Sequence, residues 1–467
     1  MSMKIVKLPK TISVFTLAMI NVAAIGSVKN WPLTAEYGFS SLFYLLLAAL
    51  IFFLPVSLVA AELATGWPKL GGIYVWVKEA FGHRLGFLAI WLLWVENMIW
   101  YPTVLSFIAA TIAYVFNPKL ANNSLYNFFM ILIIFWATTL VNLLGMRASG
   151  WISTIGAVCG TFIPGLLIIG LGAAWYFNDR PLQIDLSWDS FFPNLTSVEQ
   201  LVFFTGILLG LAGIEMSAIH AKDVRDPQRD YPKAILLSAL IIVGLSALGV
   251  LSIAIVLPQK EISLVSGALQ ALSSFLNSYG FSKLTPIFAA LIAIGAIGSM
   301  STWTVGPSRG LHAAAKGGDL PAFFKRVNKE GMPTALLITQ ACIVTLLSGL
   351  FLFMPSVSSV YWILTVLVAQ LYLVMYFILF AAAIRLRYKK PDVVRAYKIP
   401  GGKVGIWIVA GVGMVAAWFA FTIGFFPPSQ IPTGNVIFYV SFLVIGILLT
   451  CGAPWLIVSL SKQPPGR

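Results

Sequence analysis

The sequence predicts an all-α integral membrane protein with twelve transmembrane helices. Three observations lead there. Hydrophobic residues make up 59% of the 467 positions and charged residues only 10%, against about 25% charged in a soluble domain. Apolar runs of about 20 residues, enough to cross a bilayer as a helix, recur from one end of the chain to the other. Lysine and arginine collect between alternate runs, the pattern of membrane topology. So few charges cannot coat a water-facing surface. That excludes a soluble multidomain enzyme, a disordered scaffold and a disulfide-stapled secreted module.

Lys4, Lys7 and Lys10 precede the first run without a small-residue cleavage site after it. Residues 1–10 therefore read as a cytoplasmic segment, not a signal peptide. Spans follow at about 11–35, 40–64, 84–116, 125–145, 151–177, 199–221, 233–257, 285–314, 334–354, 357–387, 404–426 and 435–460. The segment 260–280 is too short and polar to span and reads as an external helix or loop. An even span count puts both termini on one side. Of the 30 lysines and arginines, only Lys29, Lys119, Arg180, Lys260 and Lys283 fall on the other side. This bias places both termini in the cytoplasm, with the chain in the cytoplasmic (inner) membrane. It also accounts for the net charge of +14 without a nucleic-acid partner. Asp179, Asp185, Asp189 and Glu199 suit a periplasmic or extracellular loop. Cys159, Cys342 and Cys451 lie in apolar runs and read as small buried hydrophobes, not as a disulfide or metal framework.

Spans one and six are interrupted. The first contains Ala23-Ala24-Ile25-Gly26-Ser27-Val28-Lys29-Asn30-Trp31-Pro32; the sixth contains Gly206, Gly210 and Gly213, then Glu215. Glycine weakens a helix, and unwound backbone in a bilayer needs protein or a water-filled cavity around it. Interrupted spans at matching positions of two halves point to a transporter binding site. The competing reading is close helix packing at the glycines. The spacing fits two five-span repeats, 11–177 and 199–387, followed by two further spans within 404–460 and a short cytoplasmic tail, 461–467. Free amides at a half-helix N-terminus attract a carboxylate, and free carbonyls at a C-terminus attract an ammonium. A site offering both suits a zwitterion, so an α-amino acid is the natural ligand.

Three loop motifs carry a resemblance: GGIYVWVKEAFG from Gly71 to Gly82, GIEMSAIHAKDVRDPQRDYPKAI from Gly213 to Ile235, and GPSRGLHAAAKGGDLPAFFKRVNKEGMPTALL from Gly306 to Leu337. In sequence and order they resemble the amino acid–polyamine–organocation (APC) transporters over nearly the whole chain. SFFPNL at Ser190 to Leu195, WTVGPSRG at Trp303 to Gly310 and IPGGK at Ile399 to Lys403 are most similar to the glutamate–GABA antiporter branch. The resemblance implies a LeuT-like five-plus-five inverted repeat with two added helices, sodium-independent alternating access, and exchange of one amino acid for another or for its decarboxylated amine. It implies substrate contacts at Ile25, Gly26 and Ser27 in the first break and at Gly210, Leu211, Ala212, Gly213 and Ile214 in the sixth. Trp303 matches an aromatic that closes over substrate in relatives. Two departures stand out. A span-5 lysine found in some proton-coupled relatives aligns with Thr154, so a fixed internal cation is expected to be missing. A long C-terminal plug has no counterpart, so tail-based acid gating is not expected.

Further candidates come from chemistry. Glu96 falls about 18 Å into span 3, where a carboxylate costs at least about 2.5–3.5 kcal/mol unless paired, protonated or hydrated. It reads as a proton carrier or a contact for a substrate ammonium, against a structural hydrogen bond to a neighbouring helix; Asn97 shares the region. Glu215 reads as a gating or proton-relay group, against a cap of the continuing half-helix. Trp303 offers cation–π attraction to an amino group, against core packing. Lys29, Trp31 and Glu36 read as interfacial anchors at the outer mouth in preference to an external gate. His83, His220 and His312 lack metal-ligand spacing, and Arg309 and Asp223 are expected to pair with loop charges at the inner gate. No phosphate loop, nucleophile elbow or metalloprotease motif occurs.

The expectation is a secondary active amino acid antiporter and not an enzyme, with a proton-coupled symporter or uniporter of the same fold as the alternative. An ion channel is disfavoured because no charge ring or carbonyl filter is evident. The expected partners are an amino acid, its counter-substrate, protons and the lipid bilayer, with the chain a monomer or homodimer; no metal or cofactor is expected. Glutamate–GABA exchange needs tolerance of an acidic ligand, whereas Glu96 in the pocket region argues for neutral or cationic ones.

Overall fold

The computed structural model describes residues 12–68, 71–144, 162–193, 198–215, 224, 226, 229–429 and 431–460. Among these the backbone is helical, apart from loops and a single bridge between Ile12 and Val224. Among the described residues nine helices are long and apolar enough to cross a membrane. They include α3 (Ser41–Ala48) and α4 (Leu54–Gly66), joined by a π-helical turn at Ala49–Phe53. The others are α6 (His83–Phe116), α7 (Ser124–Leu143), α10 (Asp230–Val256), α12 (Thr285–Lys316), α13 (Thr334–Ser348), α14 (Val357–Lys389), α15 (Gly402–Ile423) and α16 (Val436–Leu460). Three predicted spans remain. The first divides into α1 (Val14–Ile25) and α2 (Trp31–Ala35), the fifth is described from residue 162 and contributes α8 (Ile163–Phe177), and the sixth is described to residue 215 and contributes α9 (Phe203–Gly210).

Local chemistry sets these boundaries. The side chains of Ser13, Asn123 and Ser356 accept from Thr16, Tyr126 and Ser359 amides, capping α1, α7 and α14. The segment 260–280 contains α11 (Gly267–Ser278), with Leu269, Leu272, Phe275 and Leu276 on its buried face. One helix escaped the sequence reading. The glycine-rich motif at Gly71 to Gly82 brackets α5 (Ile73–Phe81), and Gly72 and Gly82 take φ of +46° and +96° at its ends. Those are left-handed backbone values that side chains resist.

Helix α6 lies at the centre, packed by α12 and α14, and α14 packs in turn on α15. The apolar stretches of α6 and α14 are 72% and 83% buried, against 11% for α16 at the periphery. Helix α1 packs on α10, and α7 on α13. Large apolar side chains such as Ile133, Leu140, Trp418, Ile437 and Leu448 remain exposed on the outer helices. A belt of this kind suits contact with acyl chains, not water. Cys342 is exposed on α13, which corrects its reading as a buried residue: its helix turns that face outward. Cys159 lies outside the described residues.

Buried charges are paired where helices meet loops at the lysine- and arginine-rich end. Glu62 on α4 accepts from Arg387 on α14 and from the Ile399 amide at 2.9 Å, with Arg395 Nε 3.4 Å away. Arg387 also donates to the carbonyls of Ile399 and Gly402. The IPGGK motif is thus tied down before α15, and Gly401 and Gly402 turn the chain at φ of +83° and +61°. His83 at the start of α6 pairs with Asp319, which follows α12.

At the other end, Trp31 of α2 is seated against two glycines. A Cβ at Gly165 on α8 would come within 3.1 Å of its indole, and a Cβ at Gly249 on α10 would collide with it. Trp31 is therefore a packing residue, not the interfacial anchor expected. Glu36, in the turn between α2 and the Gly38–Ser40 helical turn, lines a recess of about 860 Å³ with Gln259 and Lys260. Burial pushes its carboxyl up to about 8.

Gly249→Ala is expected to destabilise the protein by about 1–3 kcal/mol through overpacking against Trp31. Gly244→Ala on the same helix, with nothing within 4 Å of its Cβ, is the neutral control; thermal unfolding in detergent compares them. For Glu36 the folded value lies above the unfolded 4.5. Its burial costs nothing below the unfolded value, weakens the fold increasingly as pH rises from 4.5 to about 8, and adds no further change above that. Glu36→Gln should flatten that part of the curve of unfolding temperature against pH.

Candidate functional site

The two interruptions meet at one buried cavity of about 110 Å³. In the first, α1 ends at Ile25 and Gly26 leaves the helix, its amide still bonded to the Val22 carbonyl at 2.8 Å. Glycine is required here because a Cβ would stand 2.6 Å from the Val22 carbonyl oxygen. Ser27 is extended, and a 3-10 turn at Val28–Asn30 leads into α2, with Pro32 in its first turn. The first amides of that turn have no acceptor within the helix.

In the second, α9 closes at Gly210, and the Leu211 and Ala212 amides fold back on Leu208 and Leu209 carbonyls at 3.1 Å. Gly213 takes φ of +111° and sends its N–H to the Tyr376 hydroxyl at 2.9 Å. The unwound stretch thus leaves helical geometry while one of its amides is satisfied by α14. Gly206 lies close to Leu33, so α9 and α2 pack directly.

Most of the expected residues come together. Ile25, Gly26, Ser27, Gly210 and Ala212 line the cavity, with Glu96, Asn97 and Trp303. Leu211, Gly213, Ile214 and Glu215, which form or directly follow the second break, do not line it. Glu96 and Asn97 are both buried, and the Asn97 amide donates to Glu96 Oε1 and to the Leu93 carbonyl. Trp303 stands over Gly213, with its ring centroid 5.9 Å from that of Trp100 and its carbonyl accepting from Tyr101 at 3.0 Å. The buried Glu215 carboxylate accepts from Tyr372 and Tyr376 hydroxyls, each at 2.6 Å. Tyr376 therefore joins both ends of the break: it accepts from Gly213 and donates to Glu215.

Lys29 is the main correction. It lines the cavity and is only 6% exposed, so it is neither an interfacial anchor nor consistent with the expected lack of an internal cation. Its Nζ donates to Thr103 Oγ1 at 3.1 Å and lies 5.2 and 5.3 Å from the Trp100 and Tyr361 ring centroids. The cue was a charge three residues before Pro32 inside an apolar run, which membrane energetics marks as functional. Tyr372 and Tyr376 were also missed; their i,i+4 spacing puts both hydroxyls on one face of α14.

Other expectations resolve variously. His312 is buried with Nδ1 3.2 Å from the Phe324 carbonyl. Arg309 rests against the Met332 sulfur at 3.7 Å. Thr154, His220 and Asp223 lie outside the described residues.

The sequence matches the amino acid permease family over residues 10–449. It is 48% identical to an uncharacterized transporter of Legionella pneumophila, over 96% of either chain. It is 35% identical to a glutamate/gamma-aminobutyrate antiporter of Lactococcus lactis, over 97% of this chain and 91% of that one. A probable agmatine/putrescine antiporter of the same species is 26% identical over 79% of this chain and 78% of its own length. The family and these relatives are membrane transporters, not enzymes, and the family implies amino acids as small-molecule substrates. The chain belongs to the amino acid permease family of the APC superfamily.

Proposed function

We propose that this permease is an antiporter that exchanges amino acids by alternating access, built as twelve spans in a LeuT-like five-plus-five inverted repeat with two helices appended. The observation that carries the reading is the meeting of two interrupted helices at one buried cavity. The ligand's α-carboxylate goes to the amides after Gly26 and Ser27, where the helix restart concentrates partial positive charge. Its ammonium goes to the carbonyls around Gly210 to Ala212, with Glu96 across the cavity. Its side chain extends toward α6, α12 and α14, beneath Trp303.

The packing supports a repeat. In a five-plus-five arrangement α6 and α12 are the third members of the two halves and α7 and α13 the fourth, and both pairs are in contact. Likewise α1, which opens the first half, packs on α10 of the second, while α9, which opens the second half, packs on α3 of the first. The lysine and arginine distribution supports cytoplasmic termini. Exchange follows when the empty carrier reorients slowly, so that return requires a bound counter-substrate. Glu96 and Glu215 are buried carboxylates on either side of the second break, and a proton carried by either one favours the symporter reading.

Counterflow separates the two. Purified protein in liposomes preloaded with unlabelled amino acid should take up labelled amino acid, while empty liposomes should not. Net accumulation in empty liposomes driven by a pH gradient alone would establish the symporter instead. Tyr376→Phe removes the acceptor of the Gly213 amide and a donor to Glu215. Leaving such groups unpaired costs about 1–3 kcal/mol, so the exchange rate should fall about five- to hundredfold at unchanged expression; Tyr361→Phe, whose ring alone faces Lys29, is the comparison.

A further inference from the structure

The Lys29 ammonium is incomplete without a ligand. An ammonium has three donors, and one is taken by Thr103 Oγ1. Thr103 spends its own proton on the Trp100 carbonyl at 2.8 Å, so toward Lys29 it can only accept. Trp100 and Tyr361 offer ring faces. No carboxylate of the described residues lies within 4.0 Å of Nζ. A buried cation held by one hydroxyl and two rings has lost more hydration than these contacts return. Lys29 itself lines the cavity, so a solute held there is the natural acceptor for its remaining donors.

The negative charge stands elsewhere. Glu96 and Thr103 are seven residues apart on α6, two turns along the same face and about 10 Å along its axis. The cavity therefore has an acidic end at Glu96 and a basic end at Lys29. A short linear ω-amino acid laid between them presents its ammonium to one and its terminal carboxylate to the other. An α-amino acid with a neutral side chain leaves Lys29 unpaired.

We propose that Lys29 binds the side-chain carboxylate of the transported solute, making it the residue that selects acidic amino acids and their ω-amino acid decarboxylation products. This rests on the exchange reading above. Glutamate and γ-aminobutyrate share the ω-carboxylate and the amine and differ only in the α-carboxylate. A cation that grips the shared group lets one cavity hold either, which is what a single-site exchanger of such a pair requires. Lys29 also balances the tension that Glu96 alone creates: the acidic wall serves the ammonium and the basic wall the second carboxylate.

The test compares labelled glutamate, γ-aminobutyrate and glutamine in counterflow with the full chain and with Lys29→Gln and Lys29→Arg. Losing a charge-assisted hydrogen bond corresponds to about tenfold or more. The glutamate-to-glutamine and γ-aminobutyrate-to-glutamine uptake ratios should each fall by about that factor in Lys29→Gln and recover in part in Lys29→Arg. An equal loss for all three solutes, or undiminished ratios, overturns the proposal. A second measurement does not depend on the variants folding. Glutamate and γ-aminobutyrate should raise the unfolding temperature of the unmodified protein in detergent, and glutamine should do so much less; equal protection by glutamine overturns it. Should the unmodified protein show no counterflow at all, the exchange reading fails while the protection series still reads the carboxylate preference.

Discussion

Unwound backbone has no water to turn to inside a bilayer, and that constraint governs this molecule. Two helices stop midway, at Gly26 and at Gly210 to Gly213, and every polar group they release must find a partner or face a polar hollow. Part of the answer is built in: the Gly213 amide meets the Tyr376 hydroxyl and the Gly26 amide stays with Val22. The rest is the cavity itself. Polar side chains in its wall, such as Glu96, Asn97 and Lys29, would be costly elsewhere in the membrane and are tolerable beside the freed amides and carbonyls. Site and fold are therefore one problem, since removing the hollow would leave the breaks without support.

Around this centre the rest of the bundle acts as a frame. Helices α6 and α14, the most buried, carry the side chains that face the breaks: Glu96, Asn97, Trp100 and Thr103 from one, Tyr361, Tyr372 and Tyr376 from the other. Their ends are fastened by the buried Glu62–Arg387 pair and the His83–Asp319 contact. Charged pairs of this kind contribute little net stability but are costly to break singly, which favours one arrangement of helices over its neighbours.

Much of this was legible in the sequence because membrane helices announce themselves by length and hydropathy. Predicted and observed limits agree within a few residues for most spans, and the glycines of spans one and six marked the breaks. What stayed hidden depended on rotation about a helix axis. A charge at position 29 counts toward topology in a linear reading, and only the 3-10 turn shows that it faces inward. Tyr372 and Tyr376 read as ordinary aromatics of an apolar run until the sixth-span backbone is placed beside them. The Gly71 to Gly82 motif reads as a loop in sequence, whereas Gly72 and Gly82 are the left-handed positions at either end of a nine-residue helix.

The indole of Trp31 fits into a notch cut by Gly165 and Gly249, and this has a mechanical meaning. A half-helix keyed in this way cannot slide gradually past its neighbours, because partial withdrawal leaves an indole-sized void and partial rotation brings ring against backbone. Helix α2 either carries α8 and α10 along or disengages in a single jump. Closely packed contacts of this sort divide motion into discrete positions, so in the alternating access proposed above the notch would work as a detent.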